Sequence, residues 1–342
     1  MTVARPKMNW QKLVAQYQRS DLRRSLWQVA NSFGLYILAW YLMYRALSVS
    51  YWLTLLIALP AAGFVIRIFI IFHDCGHGSF FKSQKANDLL GSLCGVFAFT
   101  PYYQWRHNHA LHHAGSGDLD RRVAWDLPIT LTVREYLALP RWKRVAYRLY
   151  RHPLLLLGLA PGILFVFGQR IVSARSGRRE KWSVHFTNLA VLALALSLSY
   201  VIGWKAYLMV QLPITLLSST IGVWMFYVQH QFEDTYWAPG QDWDYTAAAL
   251  QGSSYYKLPK VLQWFTGNIG LHHIHHLSPR IPNYALQACH NANPELQRVP
   301  TITLLGSLKT MSLRLWDEER QKLVGFRELK ALAAQPARAP AA

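Results

Sequence analysis

Four apolar blocks, each close to the length of a bilayer span, dominate this 342-residue chain: residues 29–46, 51–72, 184–202 and 206–228. A span needs about 20 mainly apolar residues. Inside hydrocarbon only helices and closed barrels satisfy every backbone polar group. Hydrophobic residues make up 52% of the chain and charged residues 15%, and the apolar ones are gathered into these blocks. The fold class expected is therefore an all-α membrane protein. Two weaker segments, 89–103 and 154–167, are short, and Pro161-Gly162 interrupts the second.

Histidine placement sets the number of crossings. Eight histidines fall in three tight clusters: His73 and His77; His109, His112 and His113; His272, His275 and His276. A ninth, His230, closes the last apolar block. Residues three and four apart share a helix face, so each cluster can present its imidazoles to one point. Neutral imidazole is a good ligand for iron, zinc, copper or nickel, and this many rings exceed what one ion holds, which points to a two-metal site. One centre cannot straddle a bilayer. Segment 89–103 must then return to the side it left, and 154–167 is expected to be interfacial or re-entrant. That leaves four spans in two hairpins with a cytoplasmic helical cap carrying the histidines. The organisation expected is an arm over 1–27, one membrane domain over 28–330, and a disordered Ala/Pro-rich tail over 331–342.

Charge agrees with this topology. Cytoplasmic loops carry excess Lys and Arg. The arm holds Arg5, Lys7, Lys12, Arg19, Arg23 and Arg24, and the stretch after the second cluster holds thirteen basic residues from Arg121 to Lys181. The short outer turns carry little beyond Arg45 and Lys205. Both termini and all histidine clusters are thus expected on the cytoplasmic face. The net charge of +19 follows the membrane topology and no nucleic-acid motif accompanies it, so nucleic acid is not an expected partner. Trp10, Leu13, Val14 and Tyr17 form an amphipathic stripe suited equally to a membrane surface or to the protein. The first apolar run begins too late and runs too long for a cleavable signal peptide. Cys75, Cys94 and Cys289 are scattered, which argues against a disulfide framework.

At the histidine clusters the chain resembles the membrane fatty acid desaturases. Their three boxes, HxxxH, HxxHH and HxxHH, are present in order. The flanking stretches 73–81 (HDCGHGSFF), 105–120 (WRHNHALHHAGSGDLD), 227–234 (YVQHQFED) and 267–284 (GNIGLHHIHHLSPRIPNY) add to the likeness, which is greatest toward a bacterial acyl-lipid branch. The resemblance implies a di-iron centre held by His73, His77, His109, His112, His113, His230, His272, His275 and His276, with O2 as co-substrate. His107 and His273 exceed the pattern and point off the ligand face of a helix. Together with Asp74, Asp118, Asp120 and Asn268 they are candidates for supporting roles, and Glu233 and Asp234 are further polar neighbours.

The resemblance implies insertion of a cis double bond into acyl chains of membrane lipids at the bacterial inner membrane. The chain carries no flavin, nicotinamide or haem module, so electrons are expected from an external carrier such as a ferredoxin, flavodoxin or cytochrome b5-like protein. Two rivals are a di-iron membrane hydroxylase of lipids, carotenoids or alkanes and, more remotely, a membrane metal transporter. A transporter would carry its histidines within the spans, whereas these cluster at the span ends.

Overall fold

The computed structural model describes residues 9–122, 128–174 and 176–329. The 331–342 tail and residues Arg5, Lys7 and Arg175 lie outside the described residues. In chain order the helices are α1 (Trp10–Val14), α2 (Leu22–Ala46), α3 (Tyr51–His77), α4 (Gln84–Phe97), α5 (Tyr102–Gly115), α6 (Val133–Ala138), α7 (Arg141–Tyr150), α8 (Ala160–Val166), α9 (Arg178–Ile202), α10 (Trp204–His230), α11 (Tyr245–Leu250), α12 (Lys260–Phe265), α13 (His272–Leu277), α14 (Asn283–Ala292) and α15 (Ser307–Thr310). Five short strands join this mostly helical frame. β1 (Leu131–Thr132), β4 (Leu315–Asp317) and β5 (Lys322–Val324) form one sheet, and β2 (Tyr255–Lys257) pairs with β3 (Thr301–Thr303). They fasten the C-terminal segment to the cap.

The long helices form two antiparallel pairs. Asp21 caps α2 by accepting from Arg24 N at 3.1 Å, so this helix starts seven residues before the expected span. α2 and α3 are held at one end by Thr54 Oγ1 donating to Met43 O (3.2 Å) and at the other by Ser25 Oγ donating to Phe80 O (2.7 Å). Between α9 and α10 stands only Gly203, whose φ of +87° lets the chain reverse in one residue. α10 packs on α3, α8 and α9.

Among the described residues three helices are long and apolar enough to cross a membrane: α3, α9 and α10. α2 has the length, but Asn31, Ser32, Tyr36, Trp40, Tyr44 and Arg45 dilute its apolar content. Its outward side chains remain apolar, among them Leu26, Ile37, Leu38 and Leu42. A fourth candidate is the bent pair made by α7 and residues 154–170, which meet at 50°. The second half of that pair is irregular, a π turn (Leu154–Leu159), then α8, then a 3-10 turn (Gly168–Arg170). Both of its ends reach the half of the molecule that carries the histidines. Tyr150 Oη accepts from Ile129 N at 2.9 Å, while Ser173 N and Ser176 Oγ both donate to Gln104 Oε1 of α5 at 3.0 Å.

Segment 89–103 is not one helix. α4 stops at Phe97, Phe99 takes a φ of +52°, and Pro101 precedes α5. At 14 residues α4 is about 21 Å long, too short to span. The N-terminal stripe packs on protein. Val14 is fully buried, and Trp10, Leu13 and Tyr17 lie against the core that also holds Ile274, Leu277 and Leu286. All three cysteines are free and buried.

Candidate metal centre

Each histidine cluster is carried to the same place by a helix end. His73 and His77 close α3, where Gly78 at φ +68° terminates the helix. His109, His112 and His113 occupy the last turns of α5. His230 is the final residue of α10. α13 is too short to place its own rings, and the chain before it does so. Gly267 and Asn268 take φ of +53° and +59°, and Gly270 lies so close to Tyr256 O that a Cβ would come within 2.4 Å. That approach lets Tyr256 N donate to Gly270 O at 2.7 Å.

The nine imidazoles gather in two groups, His73, His77, His109, His113 and His275 in one, His112, His230, His272 and His276 in the other. Within each group one ring nitrogen per residue lies within 4.8 Å of all the others. The groups touch, since the His113 ring stacks on His276 at 4.2 Å between centroids. Several Nε2–Nε2 distances are 3.0–3.2 Å: His112–His230, His113–His109, His272–His230, His275–His113 and His276–His272.

These contacts cannot all be hydrogen bonds, because a neutral imidazole carries one N–H. His113 Nε2 faces two rings at this distance, and so do His230 Nε2 and His272 Nε2. Two nitrogens bound at right angles to a transition metal at ~2.1 Å would lie about 3 Å apart. The donor set thus fits a cation in each group. Desolvation, reinforced by neighbouring imidazoles, holds His113, His272, His275 and His276 well below the usual imidazole range, so these rings are neutral and ready to ligate.

The supporting polar residues divide sharply. Asp74 Oδ1 lies 3.2 Å from His73 Nδ1, while its Oδ2 accepts from Asn283 N (2.7 Å) and Asn283 Nδ2 (2.8 Å). Asn283 Oδ1 in turn accepts from Gln28 Nε2 at 3.1 Å. Asp118 and Asp120 instead fasten a loop. Asp118 Oδ1 accepts from Asp120 N and Arg121 N, and Asp120 Oδ2 accepts from Gly240 N at 2.8 Å. Neither touches an imidazole among the described residues. Asn268 serves the backbone through its left-handed conformation. His107 is exposed. His273 is buried but turned away, with Nε2 2.9 Å from Leu296 O. Glu233 pairs with Lys322 at 2.8 Å, and Asp234 is exposed.

Sequence reasoning missed Asn283, Gln28, Gly252 and Trp105. Gly252 O lies 3.4 Å from His230 Nδ1. The Trp105 ring stacks on His109 at 4.3 Å, and a Cβ on Gly76 would meet that indole at 2.9 Å, which accounts for glycine within the first box.

Beside the histidines lies a cavity of about 200 Å³. His73 and His109 of one group and His112 and His272 of the other reach its wall. α10 lines it with Gln211, Ile214, Thr215, Ser218, Gly222 and Phe226, one stripe at helical spacing, and α3 faces this with Val65, Ile66, Phe69 and Ile70.

Comparison with known proteins agrees with this architecture. The profile of the fatty acid desaturase family matches residues 46–300. This chain belongs to that family. It is 48% identical over 329 residues to a fatty acid desaturase of Bacillus subtilis, covering 96% of this chain and 93% of the relative. It is 30% identical over 237 residues to the acyl-lipid omega-3 desaturase (cytochrome b5) of Arabidopsis thaliana, covering 64% of this chain and 58% of that one. Similarity to the sn-1 oleoyl-lipid 12-desaturase of Synechocystis is 29% over 232 residues, 66% and 64% of the two chains. The protein is a fatty acid desaturase, an oxidoreductase that uses O2.

Proposed function

We propose that this desaturase inserts a cis double bond into an acyl chain of a membrane lipid, with two iron ions held by the nine grouped histidines. The observation that carries the reading is a mainly apolar cavity set directly against both imidazole groups. When bound, the iron pair supplies the oxidising power to take two hydrogens from an unactivated methylene pair, which no side-chain acid or base can do. The balance is one O2, two electrons and two protons in, and one double bond and two waters out.

The chain's own residues bind, orient and exclude. Phe69, Ile70, Ile214 and Phe226 hold methylenes and keep water from the site. Asp74 turns His73 so that Nε2, not Nδ1, faces the cluster. Trp105 fixes the His109 ring by stacking on it.

The electrons come from a separate carrier, a ferredoxin, flavodoxin or cytochrome b5-like protein. The exposed basic groups Arg121, Arg134, Arg141 and Lys143 suit an acidic one. The protein sits in a bacterial inner membrane with its histidine end cytoplasmic, a placement supported by the Lys/Arg bias. The 154–170 segment is re-entrant, a reading supported by the attachment of both its ends to the cap.

The test is expression in a host lacking the corresponding unsaturated lipids, followed by fatty acid profiling. A product lighter by two hydrogens is expected, and it should disappear in His112→Ala and His275→Ala while the protein still inserts. A product heavier by one oxygen would establish hydroxylation instead.

A further inference from the structure

The cavity follows one helix away from the histidines. Along α10 its lining runs from Gln229, beside the histidines, to Gln211. The 18 steps between them rise about 27 Å along the helix. The hydroxyls on this wall are spent on the helix itself. Ser218 Oγ donates to Thr215 O at 3.3 Å, and Ser219 Oγ donates to the same carbonyl. Neither residue therefore offers a free donor toward the cavity.

Gln211 stands at the end of this α10 wall farthest from the histidines. Its Oε1 accepts from Trp40 Nε1 at 3.1 Å and from Tyr36 Oη at 3.4 Å, both on α2. Its Nε2 donates to Thr215 Oγ1 at 3.1 Å. Tyr36 is itself buried and edge-on to Phe97, another lining residue, at 5.8 Å. Gln211 is half-buried, and an amide drawn away from water loses free energy when left unpaired. Moving Gln211 aside would break three bonds at once, so its position is fixed. An apolar chain end can pack against this cluster but cannot displace it.

We infer that Gln211, pinned by Tyr36, Trp40 and Thr215, is the stop against which the methyl end of the acyl chain rests, and that it sets the longest methyl-terminal segment this desaturase accepts. The inference rests on the cavity holding the acyl chain. Ser218, about 10 Å nearer the histidines along α10, is the position where added bulk would raise the floor.

The experiment offers mixed lipids of graded acyl length to the full-length enzyme in proteoliposomes with a reducing system. It reads the ratio of kcat/KM for long to short chains, which is independent of how much active protein each variant yields. Ser218→Phe and the smaller Ser218→Leu should lower the ratio, the first at least tenfold, and Gln211→Ala should raise it. If the wild type desaturates but the ratio is unmoved in these variants, or moves the same way in both directions of change, the stop is elsewhere. If the wild type makes no unsaturated product at all, the acyl-lipid reading itself fails.

Discussion

Replacing Asp74 by Asn tests how the first histidine is held. The carboxylate now serves three donors: His73 Nδ1–H through Oδ1, and Asn283 N–H and Nδ2–H through Oδ2. An Asn side chain of the same shape has one oxygen. Facing it toward Asn283 retains two bonds, so that orientation wins, and the NH2 then points at His73. The Nδ1 must become the acceptor, and the proton moves to Nε2, the nitrogen that faces the cluster. A protonated Nε2 cannot ligate. Loss of such a support typically weakens metal binding 10–100-fold, or about 1.4–2.7 kcal/mol. The assay is iron retained per chain against a graded chelator, with the melting temperature of the metal-free protein as control. The reasoning predicts a 10–100-fold shift for Asp74→Asn and none for Asp118→Asn or Asp120→Asn, whose carboxylates hold a loop. Equal retention in Asp74→Asn and the wild type would refute it, as would an equal loss in all three.

Other consequences are as specific. Gly76→Ala places a methyl 2.9 Å from the Trp105 ring. It should destabilise by about 1–3 kcal/mol as overpacking and lower turnover by shifting the indole off His109, measurable by denaturant melts and product yield. Burial, and then His290, lowers His273 to about 3, and His109 and His113 of α5 and His272, His275 and His276 of α13 are depressed in the same direction. Below pH ~6.5 the unfolded chain takes up protons that the native one refuses, so the metal-free protein should lose roughly 1.4 kcal/mol per pH unit for each such histidine. Stability should be flat above that pH, and loaded protein should hold out to lower pH because its ligating nitrogens are occupied. Turnover driven by an acidic electron carrier should slow as salt rises; a rate indifferent to ionic strength would remove the docking idea.

Much of the metal centre was legible because its geometry is local. Spacing of three and four residues puts rings on one helix face, and each cluster lies at or near a helix end, so the sequence needed only to bring ends together. Asp74 was visible as a neighbour of His73. The partners that make Asp74 matter were not, since Asn283 and Gln28 arrive from α14 and α2. Asn268 misled for a physical reason. Polar side chains beside a site suggest ligation, but Asn is also among the few residues that tolerate a left-handed backbone, and that is its use here. The α1 stripe could not choose between lipid and protein because both reward the same periodicity. The cavity was illegible, as its walls come from six separated stretches. α2 shows the limit of hydropathy. Tyr36 and Trp40 reduce its apolar content because they hold Gln211 from the α2 side.

The central claim is that two irons lie side by side, one in each imidazole group. Crystals of iron-loaded protein, measured at the iron absorption edge, test it most directly. The account predicts two anomalous peaks, one among His73, His77, His109, His113 and His275 and the other among His112, His230, His272 and His276. A single peak, or peaks away from these rings, would contradict it.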